Sequence, residues 1–402
     1  MLSLFKIRNF KSILDMTVDF RYNEGKAPNG WQTMSKLPFL EIDKENRFVT
    51  VLSLSGANAS GKSNVIEAFK ILFGLLEKQI TLSKAFYPNK LNKKYNTTSF
   101  EVEFFVGTDK FNYFLEYDYS KIISEKLSKN NEIVCNISLP NIFDMSGLET
   151  GSYDTEKFRE FFNIEMAEKD VLGQQIQIKT FLGGAIKKFP GLDNIASINK
   201  FVTSQIIIQS TEFAEDMEHY GFISLKEITS FVRKLDIDIA NIIKKDDQAA
   251  KAKFTPRAAM KTIHKDTEGR DVEMDMMREE SLGTNLLFGI AEVVLSALKD
   301  GTTLIIDELD RSLHPFLLTR IIELFKDRDY NKKNAQLVFT CHSTDILENQ
   351  ILRISEVAII TKNLKDGSTI KRLSDFDDVR NSYDLRKMYL NGKFGGIPFP
   401  YI

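Results

Sequence analysis

Apolar positions recur along the chain at two periods, and the changes of period mark its elements. Ser3 to Asn9 and Met16 to Phe20 alternate like strands on either side of a turn at Lys11-Ser12. Residues 21–47 are polar, carry Gly25, Pro28, Gly30 and Pro38, and predict a surface loop. Phe48 to Leu54 is an unbroken buried-strand pattern. Val65 to Lys78, with Val65, Ile66, Phe69, Leu72, Phe73 and Leu76 apolar, predicts a helix. Phe100 to Phe105 and Phe111 to Asp118 alternate around Gly107-Thr108-Asp109, a hairpin signature, and Lys121 to Leu127 and Glu132 to Ile137 extend the same antiparallel pattern.

Near residue 140 the pattern shifts to helical spacing over Thr155 to Lys169, Ile195 to Ile207 and Leu225 to Lys245. The last is the clearest, with Ile228, Phe231, Val232, Leu235, Ile239, Ile242 and Ile243 on one stripe. Such a stripe is ordinary core packing before it is a partner-binding face. Heptads run for only a few turns, which excludes a long coiled coil. A polar, basic link from Lys244 to Arg257 leads into a second α/β region. There, helices are predicted over Asn285 to Leu298 and Phe316 to Phe325, and strands over Thr302 to Ile306, Gln336 to Cys341 and Val357 to Ile360. The expected fold is α/β, a head built from residues 1–140 and 255–402 around a mostly helical insertion at 141–254.

Composition narrows the picture. A chain of 402 residues exceeds the usual size of one core, so two subdomains are expected. The net charge of −2 gives no global attraction to nucleic acid or to an anionic membrane. Cys135 and Cys341, the two cysteines, stand at unrelated positions, which argues against a disulfide framework or a zinc knuckle and fits a reduced cytoplasm. No run of about 20 apolar residues predicts a membrane span.

The chemistry lies at strand ends. Gly56-Ala57-Asn58-Ala59-Ser60-Gly61-Lys62-Ser63 spells G-x-x-x-x-G-K-S between a predicted strand and helix. Its glycines let backbone N–H groups curl around phosphates, Lys62 reaches the β- and γ-phosphates, and the Ser63 hydroxyl joins a Mg²⁺ shell. The loop also opens a helix, whose N-terminus attracts anions. Thr302 to Ile306 ends in Asp307-Glu308: an aspartate there can hold the Mg²⁺ water shell, and the glutamate can polarise the attacking water as general base. Ser281-Leu282-Gly283-Thr284 offers a hydroxyl and free N–H groups at the start of a helix. Gln336 to His342 delivers a histidine at a strand end, where it can contact the γ-phosphate or the water.

Together these residues resemble the ATP-binding-cassette ATPases of the SMC/RecF/RecN class. The resemblance makes Ser281, Gly283 and Thr284 part of a signature motif, Asp310 to His314 a D-loop and His342 a switch histidine. It extends to Phe5-Lys6-Ile7-Arg8-Asn9-Phe10-Lys11-Ser12 and to Asn64 after the loop serine. It implies that two heads pair head to tail and sandwich two ATPs between phosphate loop and signature. The glutamine that links the Mg²⁺ site to the arm stays open among Gln174, Gln175, Gln177, Gln205 and Gln209. Leu282, where the class often has a polar or acidic residue, and Ser343, where it often has an acid, depart from the pattern. Glu280-Ser281-x-Gly283-Thr284, Asp307 to Pro315 and Tyr389-Leu390-x-Gly392-Lys393-Phe394-Gly395-Gly396-Ile397-Pro398 further resemble bacterial AAA-type ATPases of abortive-infection and other anti-phage systems, including the ATPase that accompanies an RloB-type partner.

Asp375-Phe376-Asp377-Asp378 contains a D-x-D of the kind two-metal nucleases use, but the same residues make an acidic helix cap leading into Val379 to Leu390. Effector chemistry, nuclease or toxin, is therefore expected on a separate chain. Nucleic-acid binding stays open: Lys90 to Lys94, Lys187-Lys188 and Lys244 to Lys261 offer local basic surface, and solvated lysine faces explain them as well. The expected function is ATP binding with slow hydrolysis, in which head dimerisation serves as sensor or scaffold for an effector in phage defence. A DNA-clamping repair or chromosome-maintenance ATPase and a non-hydrolytic ATP-stabilised scaffold are the alternatives.

Overall fold

A 13-stranded sheet organises the described residues in the computed structural model. The structure describes residues 1–78, 80–91, 93–138, 142–144, 147, 167–169, 175–177, 179–188, 193–203, 205–208, 223–235, 238–245, 260–311, 313–348 and 351–397. The N-terminal part supplies β1 (Leu2–Phe10), β2 (Ile13–Asp19), β3 (Val51–Ser55) and helix α1 (Lys62–Phe73). A meander of β4 (Thr98–Val106), β5 (Asp109–Tyr117), β6 (Ile122–Lys129), β7 (Glu132–Ser138) and β8 (Ile142–Asp144) follows. Next come α2 (Phe181–Lys188), α3 (Asp193–Thr203), β9 (Gln205–Ile208), α4 (Leu225–Leu235), β10 (Asn241–Lys244), β11 (Met260–Lys265) and β12 (Asp271–Asp275). The last part carries α5 (Leu282–Asp300), β13 (Thr303–Ile306), α6 (Pro315–Lys326), β14 (Gln336–Thr340), β15 (Val357–Asn363), β16 (Gly367–Arg372) and α7 (Leu385–Leu390).

Strand order in the large sheet is β8-β7-β6-β5-β4-β1-β2-β16-β15-β3-β14-β13-β9. The run β15-β3-β14-β13-β9 is parallel, and the pairs on its β16 side are antiparallel. The parallel strands are buried on both faces and alternate between two cores: Leu52, Leu54, Ile305 and Val338 face one, and Val51, Leu304, Ile306, Leu337 and Phe339 face the other. This is why they read as continuous apolar runs. The antiparallel half keeps one wetter face, as in β5, where every second residue is buried. Helix α5 is long and apolar enough to cross a membrane by length and composition, yet 72% of its most apolar stretch is buried against the second core, as befits a core helix.

Several expectations change. Gln205, Ile206 and Ile207 leave the helical pattern and, with Ile208, form β9, parallel to β13 from Gln205↔Thr303 to Ile208↔Ile306. Three consecutive β-branched side chains lose rotamer freedom in a helix and fit a sheet edge. The helix expected to Lys245 ends at Leu235, and Ile242 and Ile243 pair instead with Thr262 and Lys261 in a small sheet β10-β11-β12. Residues 167–169 pair with 175–177 as strands, and residues 155–166 and 246–259 lie outside the described ones. The C-terminal helix begins only at Leu385, because the Asp384 carboxylate accepts the Lys387 N–H at 2.9 Å and caps it there.

A buried acid joins α2 to β6. Glu125 on β6 is fully buried; its carboxylate accepts the N–H groups of Phe181 (2.7 Å) and Leu182 (2.8 Å) at the start of α2, and the Tyr113 hydroxyl (2.9 Å). Helix α2 packs on the turn Gly74–Lys78 that closes α1, where Thr180 Oγ1 donates to Leu75 O at 3.1 Å. Burial raises Glu125 from the usual 4.5 to about 7, against the opposing pull of its three donors. A raised folded value means the native state keeps a proton the unfolded chain has released, so stability falls as pH climbs from about 4.5 to about 7. The shift corresponds to roughly 3 kcal/mol at most. Thermal melts of wild type are expected to drop between pH 5 and pH 8 relative to Glu125→Gln, which carries no charge; parallel curves would refute this.

Candidate functional site

Adjacent parallel strands bring the chemistry to one edge, because β3, β14 and β13 all end on the same side of the sheet. After β3 the chain turns through Gly56 (φ +151°), Ala59 (φ +61°) and Gly61 (φ +106°) before α1 begins at Lys62. Both glycines are sterically required. A Cβ on Gly56 would lie 2.2 Å from Ile360 O, and one on Gly61 would lie 2.3 Å from Ser368 Oγ and 2.7 Å from Ser12 Oγ. Gly61 also gives the N-terminus of α1 no side-chain cap, which leaves that end to an anion. Lys62 folds back over the loop, its Nζ donating to Gly56 O (2.8 Å) and Ala57 O (3.0 Å). Burial holds its pKa below the usual lysine value, and the nearby Asp307 carboxylate opposes that shift.

A relay braces the loop from below. Asn64 Nδ2 donates to Ser12 Oγ (2.6 Å), the Ser12 and Ser368 hydroxyls are 2.7 Å apart, and Ser368 Oγ donates to Ser60 O (2.6 Å). The β1–β2 turn and the start of β16 thus hold the phosphate loop in shape. Ser12 stands in the N-terminal motif, whereas Ser368 carries no local signal and is reached only through the fold.

On the acidic side, Asp307 is buried and its Oδ1 accepts from Ser63 Oγ (3.2 Å) and Thr340 Oγ1 (2.5 Å). Thr340 Oγ1 also accepts the Glu308 N–H at 2.6 Å, so one hydroxyl sets both acids. Glu308 has φ +52°, a left-handed conformation that a non-glycine residue holds only when its surroundings enforce it. Its carboxylate lies 3.9 Å from His342 Nε2 and 3.5 Å from an Arg311 guanidinium nitrogen. Asp310 Oδ2 accepts the N–H groups of His342 (2.9 Å) and Ser343 (2.8 Å) and fixes the histidine's loop. Thr340 was not singled out by the sequence, because a threonine inside an apolar strand has many ordinary uses.

These groups open on a cleft of about 850 Å³, lined by Asn58, Ser60 to Asn64, Glu308, His342 and Lys362. The cleft does not include Ser281, Gly283 or Thr284. Ser281 instead caps α5, its Oγ accepting the Thr284 N–H at 3.1 Å, beside a Leu282 that is 61% exposed. The residues fit a Mg²⁺–nucleotide. Ser63 and Asp307 place a hydroxyl and a carboxylate within 3.2 Å, an all-oxygen pair suited to a hard cation that takes its other ligands from phosphates and water. The Ser60 hydroxyl, buried in the loop, has no hydrogen-bond partner among the described residues.

A family model described as "AAA domain, putative AbiEii toxin, Type IV TA system" matches residues 51–348. The chain belongs to this AAA-domain family. The match runs from β3 past His342 and so contains the phosphate loop, the α5 N-terminus, both acids and the histidine. The chain is an AAA-domain ATPase of this family, and its phosphate loop lies within the matched residues. Among solved structures it is similar to the SMC head domain from Thermotoga maritima, at 12% identity, with 92% of this chain and 98% of that one covered and a TM-score of 0.45. It is also similar to the Smc head domain with coiled coil and joint from Pyrococcus yayanosii, at 10% identity, 98% and 99% coverage and a TM-score of 0.47. No curated protein sequence matches this AAA-family chain.

Proposed function

We propose that the cleft binds ATP with Mg²⁺ and hydrolyses it slowly, and that two copies meet head to tail to complete each site. The observation that carries this reading is the division of the motif set. Loop, Glu308 and His342 share one cleft, with Asp307 buried behind Ser63, while Ser281, Gly283 and Thr284 lie outside it at a helix N-terminus next to an exposed leucine. A second copy can bring that N-terminus to the phosphates. Ser63 and Asp307 would hold Mg²⁺, which supplies charge neutralisation at the phosphates. Lys62 moves from its carbonyl partners to the β- and γ-phosphates. Glu308 takes a proton from water as the water oxygen bonds to the γ-phosphorus and the bridging P–O bond breaks. His342, held through Asp310, orients that water or the γ-phosphate.

The family's toxin–antitoxin description supports a role in which the ATP-bound assembly controls a separate effector, nuclease or toxin, of the kind an RloB-type partner would supply, in anti-phage defence. Asp375, the first acid of the D-x-D, accepts from the Arg372 N–H and from Asn23, which supports effector chemistry on another chain. A head of 1–140 and 255–402 with an insertion of 141–254 belongs to the same proposal, the insertion lending β8 and β9 to the large sheet.

Ser281→Arg tests the composite site. The variant should bind ATP like wild type, lose the ATP-dependent dimer in light scattering, and turn over about 100-fold more slowly, since one anion-binding terminus is blocked. Wild-type turnover, or loss of ATP binding by the isolated chain, would sink the head-to-tail reading.

A further inference from the structure

The motif Tyr389 to Ile397 is absorbed by no step above, yet the fold brings it to the phosphate loop. After α7 the chain folds into a tight strap in which Gly392 (φ +78°), Gly395 (φ +70°) and Gly396 (φ +74°) are all left-handed. Gly392 N–H donates to Tyr389 O (2.8 Å) and Gly395 N–H to Gly392 O (3.1 Å). Phe394 anchors the strap, buried with its ring 5.2 Å from that of Phe376. The Tyr389 hydroxyl donates to Gly396 O at 3.0 Å. This turn presses Gly396 into a gap between β15 and the loop. A Cβ there would lie 2.8 Å from Ile359 Cγ2 and 3.5 Å from Gly56 Cα.

Beyond this contact a second cavity, of about 1,020 Å³, opens directly off the phosphate loop. Ala57 to Ser60 form one edge, the strap's Gly396-Ile397 another, and Tyr87 and Leu364 stand across from them. Tyr87 is 45% exposed and Leu364 90% exposed, so both leave apolar surface open to an occupant of this cavity. Lys362 adds positive charge to the same walls, where Lys11 is paired with Glu67. The cavity adjoins the loop that would hold the phosphates, so a nucleoside joined to those phosphates is the occupant it suits.

We infer that the strap Tyr389–Ile397 is a working part of the nucleotide site: Gly396 positions Gly56, and Ile397 forms a wall against the nucleoside. The inference rests on the reading of the adjoining cleft as the ATP site. Two ligands separate the two roles in calorimetry with Mg²⁺ present: ATP, and inorganic tripolyphosphate, which lacks a nucleoside. Ile397→Ser should weaken ATP about 5- to 10-fold and leave tripolyphosphate within about 2-fold, the loss expected for one apolar wall. Gly396→Ala, strained at its φ and clashing with Ile359, so that the strap must shift away from its contact with Gly56, should weaken both ligands about 10-fold. Tyr389→Phe, lacking only the hydroxyl that holds Gly396, should weaken both by about 3-fold. Ile397 is half-buried at the rim of the second core, so Ile397→Ser reports even where Gly396→Ala does not fold. Equal losses for ATP and tripolyphosphate in Ile397→Ser, or wild-type affinities in all three variants while Lys62→Ala abolishes binding, would overturn the strap's role. Undiminished binding by Lys62→Ala would overturn the reading of the cleft beneath it.

Discussion

Glu308→Gln is expected to leave ATP bound and to cut phosphate release by about 10³-fold, the usual worth of a positioned general base. The frame around the residue survives the exchange. Its N–H still reaches Thr340 Oγ1, which still donates to Asp307, so the left-handed turn at φ +52° and the metal-side carboxylate stay in place. The proton acceptor is lost, because an amide beside Arg311 and His342 cannot take a proton from water. Nucleotide affinity should hold or rise, since one negative charge leaves the phosphate neighbourhood. With hydrolysis blocked, the ATP-bound dimer should accumulate and be visible by light scattering. Turnover within about tenfold of wild type would move the base role to His342, 3.9 Å away. The variant also separates the functional readings in cells. Protection that survives Glu308→Gln but not Lys62→Ala marks a nucleotide-glued scaffold, and protection lost in both marks hydrolysis as the clock.

What the sequence made legible follows from range. The phosphate loop is local: its glycine spacing encodes the positive φ values of Gly56 and Gly61, and the strand before it and helix after it are each readable from a few residues. The meander β4 to β7 is equally local, since alternation and short turns fix each pairing. Gln205 to Ile208 misled because a lone apolar run fits either period, and the partner that decides, β13, lies about a hundred residues downstream. The brace under the loop is more distant still. Ser368 reaches Ser60 O across a separation of 308 residues, through a sheet that exists only once β2 and β16 meet at Ile13↔Gly367. Strap and loop meet in the same way. The motif was visible at the C-terminus, while its address beside Gly56 is a property of topology.

Gly61→Ala is expected to weaken ATP by about 10²- to 10³-fold while the sheet and both cores persist. At φ +106° an alanine sits outside the allowed regions, at a cost of about 1–3 kcal/mol. Its methyl would also overlap the Ser368 and Ser12 hydroxyls, at 2.3 Å and 2.7 Å, and crowding of that kind costs about 1–3 kcal/mol more. The loop can relieve both only by rotating Gly61 toward ordinary φ, which swings the α1 N-terminus and Lys62 off the phosphates. About 3–4 kcal/mol of lost loop geometry converts to the stated factor in affinity. Ser368→Ala in the same chain removes the nearest oxygen but leaves a carbon at 3.0 Å and the backbone strain, so it should restore only part of the loss. Calorimetry on the single and double variants, with circular dichroism to follow the fold, checks the sequence of effects. Full recovery in the double variant would mean that crowding alone fixes the glycine. Wild-type affinity in Gly61→Ala would mean that the loop reshapes on binding and that the relay through Ser12 and Ser368 does not set it.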